Sequence, residues 1–291
     1  MTNYQQKCKN MENSPDSSHI TPVLTTAETD PTCGSQLTGT RALYFDCLSG
    51  ISGDMTLAAL IHLGADLDKI RKELMTLDIG PFDIIPHEAS ASGISGIDLE
   101  VKIPPEEEAH VHRTFAFIRD MITRSGLSHG AKSAAIDIFS VIGRAEAAVH
   151  GKPLDEVTFH EVGAVDSIID IVGTAVAIDL LGSPKIFCGP VHDGGGFVNC
   201  RHGQIPVPVP AVVEMLPGSG IPIIIESDVA TEMVTPTGFG ILAGLSAEFR
   251  RDMGLIIEKS GYGFGKRKTK EFNALRIILG EEYNDKVMTD R

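Results

Sequence analysis

Tryptophan is absent from this sequence and aromatic residues make up only 5% of it. A core of this chain is therefore built from Ile, Val, Leu and Ala rather than from stacked rings. Positive charge is also short: 25 Lys and Arg stand against 39 Asp and Glu, for a formal net charge of −14. Such a surface repels phosphate backbones and anionic lipid, which argues against general nucleic-acid or membrane binding but allows a local basic pocket. Five cysteines, Cys8, Cys33, Cys47, Cys188 and Cys200, include no C-x-x-C pair. A disulfide framework and a zinc finger are both disfavoured, and a reducing, cytoplasmic setting is expected. The N-terminus MTNYQQKCKN has no apolar core of a signal peptide. No apolar run is long enough to span a bilayer.

The chain of 291 residues has room for one large or two small domains. Residues 1–40 are rich in Thr, Ser, Asn, Asp and Pro and read as a disordered tail. Residues 41–291 form the folded part, with possible sub-regions at 41–150 and 151–280. ALYFD (42–46) reads as a buried strand, followed by a glycine-rich turn and a helix from Asp54 to about Leu63. A second helix is expected over Asp68–Leu77. FDIIPHEA and IDLEVKIP read as strands joined by the linker ASASGISG. Apolar periodicity predicts helices over 114–125, 131–149 and 166–181. PVPAVVEML, with proline at its start, and TGFGILAGLSAEF read as helices. KIFC, PIIIES, LIIEKSGYGFG and NALRIILGE read as strands. Strands alternating with helices give an α/β class, or a mixed α+β one, with glycine-rich strand–turn–helix units around a mixed sheet.

Four glycine-marked segments can carry chemistry. In FDCLSGISGDM, Asp46 closes a strand and Asp54 opens a helix. Helix N-termini bind anions, while two carboxylates suit a cation or a metal–phosphate pair; Asp54 can equally be a helix N-cap. In FHEVGAVDSIIDIVG, His160 and Glu161 are adjacent, and Asp166 and Asp170 share a helix face. Asp170 lies between isoleucines, so its carboxylate needs a cation or several donors. The metalloprotease pattern H-E-x-x-H fails at Ala164. GPVHDGGGFVNCRHG reads as loop-rich and brings His192, Asp193, Cys200 and His202 close in sequence, donors that suit zinc, nickel or cobalt. Thr235 and Thr237 of VTPTG precede a helix as a candidate anion cradle. GYGFGKRKTK is neither a dinucleotide fingerprint nor a P-loop. Its Lys266 and Arg267, with Lys268 and Lys270, are the densest basic patch, either a solvated hairpin tip or a site for a ligand's phosphate or carboxylate.

Taken in order, YFDCLSGISGDM, FHEVGAVDSIIDIVG, CRHGQIPVPVPA, MVTPTG and GYGFG followed by NALRIILGE resemble the LarC family of nickel-insertion proteins over residues 41–280. The resemblance implies insertion of Ni²⁺ into pyridinium-3,5-bisthiocarboxylic acid mononucleotide, a small thio-nucleotide. The product, with two nickel–sulfur bonds and one nickel–carbon bond, is the cofactor of lactate racemase-type enzymes. It implies a CTP-dependent nickel insertase, or chelatase, of the lyase class, with CTP and a divalent cation bound outside this chain. Metal candidates are His160, Asp170, His192, Cys200 and His202, with Glu161 beside them. His160, Glu161 or His202 is a candidate base for the ring C–H proton. Thr235, Thr237, Lys266 and Arg267 are candidates for holding the nucleotide.

Two departures from the family pattern stand out. The histidine-rich run of the family is reduced to EEEAHVHR, with His110 and His112. The C-terminal domain that the family associates with CTP is expected to be missing. A partner chain supplying it, a homo-oligomer, and a non-catalytic nickel chaperone or an incomplete subunit of a split enzyme are the remaining expectations.

Overall fold

The computed structural model describes residues 39–104, 113–159, 162–200, 203–267 and 272–283. Of the expected tail only residues 39 and 40 are described, and His110 and His112 lie outside the described residues.

In chain order the first half runs β1 (Arg41–Asp46), α1 (Gly53–Leu63), α2 (Leu67–Leu74), β2 (Asp83–Ala91), β3 (Ile94–Lys102), β4 (Arg113–Thr114), α3 (Phe115–Arg124) and α4 (His129–His150). The second half runs β5 (Thr158–Phe159), α5 (Val165–Leu180), β6 (Lys185–Cys188), β7 (Val191–Asp193), β8 (Phe197–Cys200), β9 (Gly203–Pro206), α6 (Pro210–Met215), β10 (Ile223–Ile225), α7 (Pro236–Gly244), β11 (Glu248–Phe249), β12 (Leu255–Phe264) and β13 (Ala274–Glu282). The class is the mixed α/β one expected.

Seven strands form one mixed sheet in the order β11-β6-β1-β13-β12-β3-β2. β1 lies parallel to β6 and antiparallel to β13, with Phe45 opposite Cys188 on one side and Ile277 on the other. β1 is buried on both faces, so it reads as a continuous apolar run. Leu43 and Phe45 join the main core under the helices, while Ala42 and Tyr44 join Phe187 and Ile278 in a smaller cluster on the other face. There the Arg250 guanidinium stacks 3.5 Å from the Phe187 ring centroid.

The GYGFG run has a packing role. A Cβ on Gly263 would fall 1.9 Å from the Met55 carbonyl oxygen, and one on Gly261 would fall 2.2 Å from that of Ala59. Bare backbone at these two points lets α1 lie directly on β12. Helix α5 is buried over most of its surface, which explains its richness in Ile, Val and Ala.

Several local expectations are corrected. The β2–β3 turn is only Ser92 and Gly93, both at positive φ, and the rest of ASASGISG is strand. The segment expected as one helix through Phe249 breaks after Gly244. Ser246 adopts φ 54, and Glu248–Phe249 then joins the sheet edge beside β6. The stretch read as loop-rich contains the β8–β9 hairpin. Asp54 is not an N-cap: that position belongs to Ser52. Among the described residues no helix is long and apolar enough to cross a membrane.

Candidate functional site

The turn after β1 sets the site. Ile51 donates to the Met233 carbonyl at 3.0 Å, and Thr235 donates to the Ile51 carbonyl at 3.1 Å. These bonds place the N-termini of α1 and α7 side by side. Ser52 caps α1: its hydroxyl accepts from the Met55 N–H and donates to Asp54 Oδ1. Thr235 caps α7, accepting from Gly238 N–H at 3.1 Å, with its hydroxyl 2.8 Å from that of Thr237. Asp46 does not join Asp54. Arg276 on β13 holds it instead, with Nε 2.9 Å from Oδ2.

Asp193 fixes the neighbouring loop. It is fully buried, and its Oδ1 accepts from the N–H groups of Gly194, Met233 and Val234 at 2.8, 2.7 and 3.1 Å. Burial still raises its pKa, against the pull of those three donors. The loop it anchors carries Glu232, which pairs with Arg267 from the β12–β13 hairpin.

These elements border a cleft of about 560 Å³, whose lining includes Cys200, Thr235, Thr237, Arg267, Glu146 and His150. A smaller hollow of about 190 Å³ shares Glu232, Thr235 and Arg267 with it and adds Ser52, Asp54 and Lys266. First-turn or capping residues of three longer helices line this double cavity: Ser52 and Asp54 of α1, Ser167 of α5, and Thr235 and Thr237 of α7. Helix N-termini carry free N–H groups and the positive end of the helix dipole, which favour an anion, while Asp54, Glu146 and Glu232 add negative charge to the same lining.

The anion candidates are thus brought together: Thr235, Thr237 and Arg267 line the large cleft, and Lys266 lies in the hollow, its Nζ 3.9 Å from Asp54 Oδ2. Both basic residues are exposed on the β12–β13 hairpin, and Arg267 pairs there with Glu232. The metal candidates are more scattered. Cys200 lines the cleft. Burial pushes the Cys188 thiol up to about 12 and that of Cys47 well above its ordinary value.

Asp170 packs under α1: a Cβ on Gly53 would fall 2.8 Å from its Cβ and 3.0 Å from Oδ2. The residue keeps some exposure, but its Oδ1 is sealed from solvent with no hydrogen-bond partner. Burial pushes its pKa well above the ordinary carboxylate range, and Asp54 and Asp166 push it further, against Lys266. His192 lines neither cavity; its Nδ1 is 2.5 Å from Glu226 Oε1. His160, Glu161 and His202 lie outside the described residues. Among the described residues, no three His, Cys, Asp or Glu side chains are gathered as metal ligands.

Glu146, His150 and Glu232 were not singled out from the sequence. The first two continue the spacing of Ile138 and Ile142 along α4, a weak signal in hindsight. Glu232 meets Arg267 across 35 residues, and no local pattern announces that pair.

The chain is similar to known proteins of one family. Residues 43–290 match the family described as nickel insertion protein. Several relatives carry the name pyridinium-3,5-bisthiocarboxylic acid mononucleotide nickel insertion protein, among them the following three. That of Acetivibrio thermocellus is 49% identical over 246 residues, covering 82% of this chain and 60% of the relative. That of Lactiplantibacillus plantarum is 43% identical over 260 residues, covering 83% and 62%. That of Desulfitobacterium hafniense is 40% identical over 241 residues, covering 83% and 58%. The chain therefore spans about three-fifths of the length of the relatives it matches. No solved structure matches it.

Proposed function

Because the chain belongs to the nickel insertion protein family, we propose that it takes part in inserting nickel into pyridinium-3,5-bisthiocarboxylic acid mononucleotide, and that its double cavity holds that mononucleotide. The observation that carries this reading is the gathering of Thr235 and Thr237, at the N-terminus of α7, with Lys266 and Arg267 of the β12–β13 hairpin around the double cavity, in a chain of net charge −14. A phosphate dianion suits such a cradle: N–H groups and hydroxyls donate to it, and a guanidinium binds it through two parallel bonds. Glu232 holds Arg267 at the rim shared by the two cavities, ready for that role.

Nickel is cargo in this reading. The ligand's soft sulfurs chelate it once it arrives, so the protein needs only a transient site of imidazole, carboxylate or thiolate. Formation of the nickel–carbon bond releases a ring proton, and His160, Glu161 or His202 takes it. The lyase-type activity and the CTP dependence, with its divalent cation, come from the family resemblance. CTP use is assigned to the part of the relatives that the match leaves uncovered. The same reading includes a partner chain supplying that part, self-association, and a cytoplasmic setting.

Calorimetric titration of the metal-free chain with the mononucleotide tests the reading. One site per chain is expected, weakened about tenfold or more when Arg267 becomes Ala. Adding nickel and CTP should then produce the absorbance of the nickel-loaded product once the family's remaining part is supplied. A chain that binds nickel but never the mononucleotide is a nickel carrier instead, and the proposal fails.

A further inference from the structure

Residues four apart on a helix share a face. On α4 that face runs through Ile138 and Ile142, both fully buried, and then through Glu146 and His150. The change from apolar to polar falls where the face leaves the core and becomes a wall of the large cleft. His150 Nε2 lies 3.2 Å from Glu146 Oε2, and the two side chains are only 26% and 19% exposed. A His–Glu pair placed only to support the helix would sit on the solvated side. This pair lines the cavity that Cys200 also lines.

Imidazole, carboxylate and thiolate form a donor set that suits nickel, zinc or cobalt rather than magnesium or calcium. We propose that Glu146 and His150 form a two-donor docking point for a first-row divalent transition metal inside the cleft, with Cys200 as a third donor met during transfer. The direction of transfer, toward a sulfur-bearing ligand, rests on the nickel-insertion reading; the docking point itself does not. Two protein donors leave the other coordination positions to water. The ion is then released by ligand exchange: bonds to the imidazole and carboxylate break as bonds to the ligand's sulfurs form, with no change of oxidation state. A closed site of three or four protein donors would retain the ion, and the described residues contain none.

Competition of the full 291-residue chain against a chromophoric chelator for Ni²⁺ alone, in salt that screens surface carboxylates, tests the docking point. Glu146→Gln and His150→Ala should each weaken nickel binding about tenfold or more. Cys200→Ser should remove a thiolate-to-nickel absorption band in the near ultraviolet. Circular dichroism checks folding, and Glu146→Gln, which keeps the side chain's size, decides alone if His150→Ala unfolds. Nickel affinity equal to wild type in folded Glu146→Gln overturns the proposal. Mononucleotide binding without metal separates the two readings. Retained mononucleotide binding with lost nickel binding in these variants supports the docking point. Mononucleotide binding absent from the wild type sinks the function reading, while the nickel result still decides the docking point.

Discussion

Arg267 and Glu232 form an ion pair between the β12–β13 hairpin and the loop that leads into α7. The two cavities meet at this pair, since both residues line each of them. Glu232 is largely buried at 11% side-chain exposure, whereas Arg267 is 45% exposed. The acid is the fixed member, and it aims the guanidinium.

Replacing Arg267 with Ala should therefore affect ligand binding more than folding. Solvent screening on the exposed side keeps the stability loss to about 1 kcal/mol, read by urea denaturation. Anion binding should fall about tenfold. Glu232→Gln should keep the fold and weaken anion binding less, because Arg267 stays present but loses its guide. Equal anion affinity in all three proteins would show that the pair only links two loops.

Asp170 predicts an unusual pH dependence. Its pKa in the folded chain is raised by burial and by Asp54 and Asp166. The folded state therefore holds this proton more tightly than the unfolded state does. The folded chain has its full relative stability below the ordinary carboxylate pKa and loses it as pH rises toward the raised value. Asp170→Asn should flatten that decline and make the protein more stable than wild type at neutral pH, by about 1 kcal/mol or more. Urea melts across the acid-to-neutral range give both slopes. A wild-type slope unchanged by the substitution would mean that the carboxyl is not held neutral.

Asp193→Ala should release three N–H groups at once, the buried ones of Gly194 and Val234 and the part-buried one of Met233. Each unsatisfied buried donor costs about 1–3 kcal/mol, so a loss of several kcal/mol is expected. Asp193→Asn keeps an acceptor oxygen and should recover most of it. Hydrogen exchange at Met233 and Val234 should quicken in the alanine variant and stay slow in the asparagine one.

Gly263→Ala should prevent normal folding. The new methyl would stand 1.9 Å from a backbone oxygen of α1, and a backbone atom in a packed helix cannot step aside cheaply. Yield of folded protein and its melting temperature are the readouts. A cost below about 1 kcal/mol would show that α1 can lift off β12 easily.

Much of this architecture was legible because its elements are long and strongly periodic. β1, α1, α4, α5 and the β12–β13 pair occupy the places that apolar spacing indicated. Short elements were missed where tertiary pairing outweighs local pattern. β8 and β9 have four residues each and follow three consecutive glycines, so neither shows alternation. β11 is hidden at the end of an apolar helical run and forms only because the edge of β6 is there to pair with. In the candidate site, Thr235, Thr237, Lys266 and Arg267 were visible as charge and hydroxyls beside glycines. Glu146 and His150 looked like ordinary helix-surface residues, because only the fold shows that their face opens on a cavity.

The first strand and the last are neighbours at the middle of the sheet, with Arg41 opposite Glu281 and Asp46 opposite Arg276. A ribosome making this chain releases β1 long before its partner β13, since Asp46 and Arg276 lie 230 residues apart. Until then the central strand has one flank unpaired, and the hairpin that presents Lys266 and Arg267 cannot close. Pairing over so many residues is slow and leaves a sticky edge exposed meanwhile. A nascent chain that starts to fold is therefore a client for chaperones. The basic wall of the cleft is completed only once β13 has formed, so a chain that has not yet reached that strand lacks the anion site proposed for it.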